Sequence, residues 1–331
     1  MKAIKKAAIA AGVLTAAGIS ETAVFYNMAM KRDGIAPEKS AKMSGIDWGQ
    51  YEDIMRKKGE YMLSQPNEKF SRYSDDGLKL VATYFPSAFE NPNYTEEITE
   101  GNTENKKRLV IGFHGYTSNG IANHTAVFEY FYKRGYALLF PDARAHGKSE
   151  GKYIGFGCLD RKDALGWINW AINKFGEDVE IMLYGTSMGG ATVLMTSGLK
   201  LPPQVKGITS DCGFTSPKEV FTFVLNKQYH LPAFPVIQLS DIINKKLAGY
   251  GMDECNGKRE VKKAKVPIFF IHGSADTFVP CFMCHEMYDA CLAPKKKLIV
   301  EGAGHAESYL KDTATYEREL NKFMDAIFNN K

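Results

Sequence analysis

Gly185-Thr186-Ser187-Met188-Gly189 sets a serine between two glycines, after the apolar run Val179-Glu180-Ile181-Met182-Leu183-Tyr184 and before Ala191-Thr192-Val193-Leu194-Met195. A strand, a Gly-x-Ser-x-Gly turn and a helix make a nucleophile elbow, whose turn is too tight for side chains beside the serine. The serine then stands above the sheet edge, where the helix N-terminus favours developing negative charge. Ser187 is the candidate nucleophile, although so short a pattern also arises in ordinary glycine-rich turns. A serine hydroxyl needs a base, and the base needs an acid to orient it.

Among seven histidines the candidate base is His305, in Glu301-Gly302-Ala303-Gly304-His305-Ala306-Glu307-Ser308 after the last expected strand. The candidate acid is Asp276, in His272-Gly273-Ser274-Ala275-Asp276 after the strand before it. A lone aspartate in such a turn is more often a turn residue. Asp211, after the strand that begins at Val205, is the rival acid, with holding the loops of the site as its other role. Attack on a carbonyl also needs donors for the oxyanion. The backbone N–H of Met188 supplies one, and that of Tyr116, in the loop after Phe113, is the candidate for the second. His114, directly before Gly115, reads as a prop for that loop.

These residues need a frame to hold them. Ser71–Ser74 and Leu78–Tyr84 read as a hairpin turned by Asp75-Asp76-Gly77. Leu109–Phe113, Ala137–Phe140, the elbow strand, Val205–Ser210, Val266–Ile271 and Lys297–Val300 are apolar runs of strand length. Between them lie helical patterns, such as Leu165, Ile168, Ile172 and Phe175. The alternation predicts an α/β fold with a mostly parallel sheet of about eight strands, helices on both faces and a small helical cap over residues 213–264. Each polar cluster follows a strand at its carboxyl end, where sites form in such sheets.

The chain has 331 residues, 44% of them hydrophobic and 12% aromatic, enough for a sizeable core, and a formal charge of +4. Lys106-Lys107-Arg108 and Lys295-Lys296-Lys297 sit beside strands as solvated loop faces, so no nucleic-acid partner is expected. Residues 1–32 differ from the rest. Lys2, Lys5 and Lys6 precede an Ala-rich apolar run from Ala7 to Ile19, Glu21 interrupts it, and Lys31-Arg32 close it. Residues 7–30 are long enough for an uncleaved membrane anchor, against which Glu21 counts. Ala16-Ala17-Gly18 offers a cleavage site for a secreted protein, and a cytosolic surface helix is the third reading. Residues 33–69 are expected as a helical leader and 70–331 as the catalytic domain. Of six cysteines, Cys281 and Cys284 have no second Cys/His pair to complete a zinc site. They read as free thiols rather than a redox pair, and no metal is called for.

Taken with Asp142-Ala143-Arg144-Ala145-His146-Gly147-Lys148-Ser149-Glu150-Gly151, these motifs resemble the α/β-hydrolase superfamily from about Phe70 to the C-terminus. The likeness is to small-capped bacterial serine hydrolases related to prolyl-oligopeptidase and to monoglyceride-lipase and lysophospholipase-type enzymes. The order Ser, Asp, His suits that superfamily. The resemblance implies a Ser187/His305/Asp276 triad, an acyl-enzyme intermediate, hydrolysis by water and no cofactor. Ala145 departs from it, standing where relatives usually carry glycine. The expected substrate is a small-molecule or lipid acyl ester, with Phe214, Phe221, Phe223, Phe234 and Leu231-Pro232 either lining an acyl pocket or packing the cap onto the core. A serine peptidase is the alternative enzyme, and a non-catalytic binding protein the alternative of another class.

Overall fold

The computed structural model describes residues 20–35 and 45–329. Helix α1 (residues 20–30) comes first, then a 3-10 turn (Trp48–Tyr51) that runs into α2 (Glu52–Ser64). Strands β1 (Glu68–Tyr73) and β2 (Lys79–Phe85) pair antiparallel. Their turn closes through Ser74, and Gly77 takes a φ of 86°, which an L side chain rarely adopts.

From β3 the chain alternates strand and helix. β3 (Arg108–Phe113), α3 (Gly120–Tyr132), β4 (Ala137–Pro141), α4 (Asp160–Phe175), β5 (Glu180–Thr186), α5 (Met188–Thr196) and β6 (Val205–Asp211) follow in turn. The cap comprises α6 (Pro217–Lys227) and α7 (Ala233–Leu247), and the short α8 (Gly257–Val261) leads back to the sheet. Then come β7 (Ile268–Gly273), α9 (Cys281–Ala290), β8 (Lys295–Val300), α10 (Ser308–Lys311) and α11 (Thr313–Phe328). The sequence reading missed α8, which has only five residues and no periodicity to show.

The eight strands form one sheet in the order β1-β2-β4-β3-β5-β6-β7-β8. β1–β2 and β2–β4 are antiparallel and every later pairing is parallel. Alternate side chains show why both faces must be covered. Leu109, Ile111, Ile181 and Leu183 join Trp167 and Ile168 of α4 on one face, whereas Val110, Met182 and Tyr184 join Phe128 of α3 and Leu320 of α11 on the other. A strand buried on both sides has no polar face to offer, hence its unbroken apolar run.

Arg144 locks the loop after β4. Its guanidinium donates to both carboxylate oxygens of Asp163 at 2.7 and 2.9 Å, and to both of Asp76 in the β1–β2 turn at 2.9 and 3.1 Å. Arg144 and Asp163 are buried, so removing one charge strands the other. Arg144→Met is expected to lower unfolding stability by about 3 kcal/mol, read from the urea midpoint. Ala145 beside it has a φ of 59°, so the glycine position of the resemblance is a left-handed one. Its buried methyl offsets part of that strain.

Among the described residues no helix is long and apolar enough to cross a membrane. Residues 7–19 of the stretch read as an anchor or signal lie outside the described residues. The remainder, α1, packs on the fold: Tyr26 and Met30 are buried in a cluster with Phe214, Phe221 and Val236 of the cap region.

Candidate active site

The ends of β3, β5, β6, β7 and β8 meet along the carboxyl edge of the sheet. The chain leaves β3 toward one side for β4 and returns on the other for β5, so Ser187 stands where the strand order reverses. Its φ of 57° and ψ of −116° are those of a strained turn. Both glycines of the elbow are required sterically. A methyl at Gly185 would meet the carbonyl of Gly189, and one at Gly189 would meet that of Phe113.

Three of the expected residues converge. Ser187 Oγ lies 2.8 Å from His305 Nε2, and His305 Nδ1 lies 2.8 Å from Asp276 Oδ2. The other oxygen of Asp276 accepts from the backbone N–H groups of Phe278 and Val279 at 2.9 and 2.8 Å. Burial pushes the Asp276 carboxyl up, but the His305 and His272 imidazoles facing it prevail and hold it well below the usual range. An ionised Asp276 fixes the proton of His305 on Nδ1. Nε2 is then free to accept from the serine hydroxyl. Asp211, the rival acid, is elsewhere: its Oδ2 accepts from Tyr316 Oη at 3.0 Å, and its carbonyl accepts the N–H of Ser187 at 2.8 Å. Burial raises its carboxyl.

The loop of Tyr116 runs against Ser187, since a Cβ at Gly115 would lie 3.3 Å from Ser187 Cβ. Two side chains hold it there. Gly115 N–H donates to Asn123 Oδ1 at 2.8 Å, and His114 bridges Gly115 and Ala143. Ala143 N–H donates to His114 Nε2, so the His114 proton sits on Nδ1 and points to the Gly115 carbonyl. Burial keeps this imidazole well below its ordinary range, and neutral. That is the propping role expected of it. The N–H of Met188, first in α5, is one of the amides a helix leaves without a partner of its own.

A profile of the serine aminopeptidase S33 family (Hydrolase_4) matches residues 104–239. The uncharacterized protein YqkD of Bacillus subtilis (strain 168) is 28% identical over 252 residues, 76% of this chain and 81% of that protein. The Pyrococcus furiosus esterase Pf2001 superposes with a TM-score of 0.62 at 22% identity, over 81% of this chain and 93% of that one. The Mycobacterium tuberculosis puromycin-hydrolyzing peptidase superposes with a TM-score of 0.59 at 17% identity, over 81% of this chain and 40% of that one. Structural likeness at such identities speaks for the fold, and here it joins the profile match and the strand order. The chain has the α/β-hydrolase fold.

Two cavities open on Ser187. One, of about 270 Å³, is apolar and runs between Phe156, Phe214, Phe221 and α1. The other, of about 310 Å³, carries His305, Ser118, Asn123 and Asp211. Of the cap residues singled out in the sequence, Phe214, Phe221 and Leu231 line the apolar cavity. Phe223 instead meets Phe282 edge to face at 6.4 Å, and Phe234 is 73% exposed, because both point away from the cap's inner side.

Sequence reasoning missed three parts of the site's surroundings. The first is α1 as a cavity wall. The second is Glu307, a buried carboxylate that accepts from Gly304 N–H and Tyr51 Oη, both at 2.7 Å, and so ties the His305 loop to the leader. The third is Asp142, whose two oxygens accept from Gly120 and Lys148 N–H at 2.9 and 2.8 Å and brace the loop after β4. Glu307 adjoins the motif of His305 and Asp142 opens the loop motif, but Tyr51 is 256 residues from Glu307 and Gly120 is 22 from Asp142.

The described cysteines are all free, and five are buried. Among the described residues the only cluster with metal-ligand types is Cys212, Asp276 and His305. Both ring nitrogens of His305 are already engaged by Asp276 and Ser187, so an ion there would have to break that chain of hydrogen bonds.

Proposed function

We propose that this protein hydrolyses carboxylic acyl esters through an acyl-enzyme on Ser187. The observation that carries the reading is the continuous chain Ser187 Oγ–His305 Nε2 and His305 Nδ1–Asp276 Oδ2, each link 2.8 Å, at the mouth of two cavities. His305 Nε2 takes the hydroxyl proton as Oγ bonds to the ester carbon. The N–H groups of Met188 and Tyr116 receive the oxyanion, and Asp276 stabilises the imidazolium. As the carbon–oxygen bond to the alcohol breaks, His305 returns the proton to the leaving oxygen. Water then repeats the sequence: its proton passes to Nε2, its oxygen bonds to the acyl carbon, and Oγ leaves with the proton from His305.

Turnover of p-nitrophenyl esters of increasing acyl length tests the reading, with Ser187→Ala as control. Serine-dependent hydrolysis supports it. Absence of hydrolysis across the series, with cleavage of aminoacyl anilides instead, would favour the peptidase reading that the S33 profile suggests. The apolar character of the cavity beside Ser187 supports the ester, because an acyl chain leaves no buried polar group unpaired there.

A further inference from the structure

We propose that helix α1 (residues 20–30) is the wall that measures the acyl chain, and that the substrates are esters joining a medium-length aliphatic acid, of about ten carbons, to an alcohol with both polar and apolar parts. The inference rests on the acyl-enzyme reading, and it begins with the direction of the substrate. His305 must protonate the leaving oxygen, so the alcohol has to lie on the His305 side of Ser187. His305 lines the second cavity, where Ser118, Asn123 and Asp211 stand among apolar residues such as Trp48, Met55 and Leu310, and does not line the first. The alcohol therefore takes that second cavity, of mixed lining. The acyl chain takes the other.

Val24, Phe25, Met28 and Ala29 of α1 face that apolar cavity. Their spacing is one side of a helix. Thr22, Tyr26 and Met30 turn to the protein interior and are buried, while Ala23 and Asn27 face solvent. The helix is pinned from several directions. Tyr116 Oη, from the loop beside the nucleophile, donates to the Met28 carbonyl at 3.0 Å. Tyr26 Oη donates to Asn244 Oδ1 of α7 at 3.2 Å, and Phe25 meets Phe221 of α6 edge to face at 5.4 Å. Just beyond the helix, Arg32 donates from its backbone to the Lys152 carbonyl at 3.0 Å and from its guanidinium to the carbonyls of Ser149 and Gly147 at 2.5 and 2.6 Å. A segment upstream of the hydrolase fold thus completes its binding pocket.

The volume sets the length. A dry cavity of about 150 Å³ accepts benzene, with its six carbons. On that scale the 270 Å³ here accommodates an acyl chain of about ten carbons.

The test uses the full chain and three variants: Met28→Trp, which fills the cavity, Phe25→Ala, which enlarges it, and Asn27→Trp on the solvent side as control. Circular dichroism establishes that each is folded. Met28→Trp is expected to lower the ratio of decanoyl to butyryl p-nitrophenyl ester turnover by about tenfold or more, the scale on which a pocket senses added methylenes. Phe25→Ala is expected to shift the preferred length upward by two or more carbons, and Asn27→Trp to leave the profile in place. An unchanged profile in both Met28→Trp and Phe25→Ala, with turnover still dependent on Ser187, overturns the proposal. So does a shift as large in Asn27→Trp.

Calorimetric binding of decanoate reads the same wall without catalysis. The expected results are a negative heat-capacity change in the wild type and an affinity at least tenfold weaker in Met28→Trp. If no ester is turned over, the ester reading fails alone and decanoate decides about the wall. Equal affinity in the two proteins, or no binding in the wild type, counts against it.

Discussion

Ser187→Ala is expected to lower kcat for the best p-nitrophenyl ester by about 10⁴- to 10⁶-fold, and His305→Ala to lower it nearly as far. The two residues act as one unit. Without Oγ there is nothing to acylate, and without Nε2 the hydroxyl keeps its proton. The double variant Ser187→Ala/His305→Ala is therefore expected to be no slower than the worse of the two singles. A product of the two losses would mean that the residues act independently, which the 2.8 Å contact between them argues against. The serine sits in a strained turn that its neighbours impose, so the substitution to alanine is expected to leave the fold in place. A cooperative unfolding transition in the variant checks this.

Asp276→Asn is expected to cost about 10⁴-fold in kcat with little change in KM, for a reason visible in the hydrogen bonds. Phe278 and Val279 both donate N–H groups to one side of the Asp276 carboxylate. In the variant those amides hold the side-chain oxygen of asparagine toward them, and the NH2 group turns to His305. An NH2 there donates to Nδ1. The imidazole proton is driven to Nε2, which can no longer accept from Ser187. The loss arises from the wrong tautomer, with the loop around residue 276 still held by the same backbone groups. A loss of tenfold or less would mean that Asp276 contributes only packing, and would reopen the case for Asp211.

Sequence order made the frame legible because the strands are buried on both faces. Residues such as Leu109-Val110-Ile111 admit no polar alternation, and the helices between them keep their own period. The elbow was legible for a steric reason, since glycine is required at both 185 and 189 by carbonyls that lie close by. Asp276 and His305 could be proposed from their positions after strands, but only the fold brings them together across 29 residues of chain.

What escaped the sequence reading was support from afar. Glu307 meets Tyr51 from 256 residues away, and no local pattern announces such a pair. Residues 7–30 together have the length of a membrane anchor, yet the second half of that stretch differs in kind. Glu21 interrupts it, and Tyr26 and Met30, four residues apart, form the buried stripe of a docked helix. Tyr26 and Met30 at helical spacing after a charge were the available signal. The alanine-rich first half masked it.

The central claim, that Ser187 is the group acylated, is tested most directly by a p-nitrophenyl alkylphosphonate, which reacts once and does not turn over. The account predicts release of one equivalent of p-nitrophenolate per chain and a phosphonyl adduct that mass spectrometry places on Ser187. No adduct is predicted in Ser187→Ala, and much slower labelling in His305→Ala. An adduct on any other residue, or equal labelling of wild type and Ser187→Ala, would contradict it.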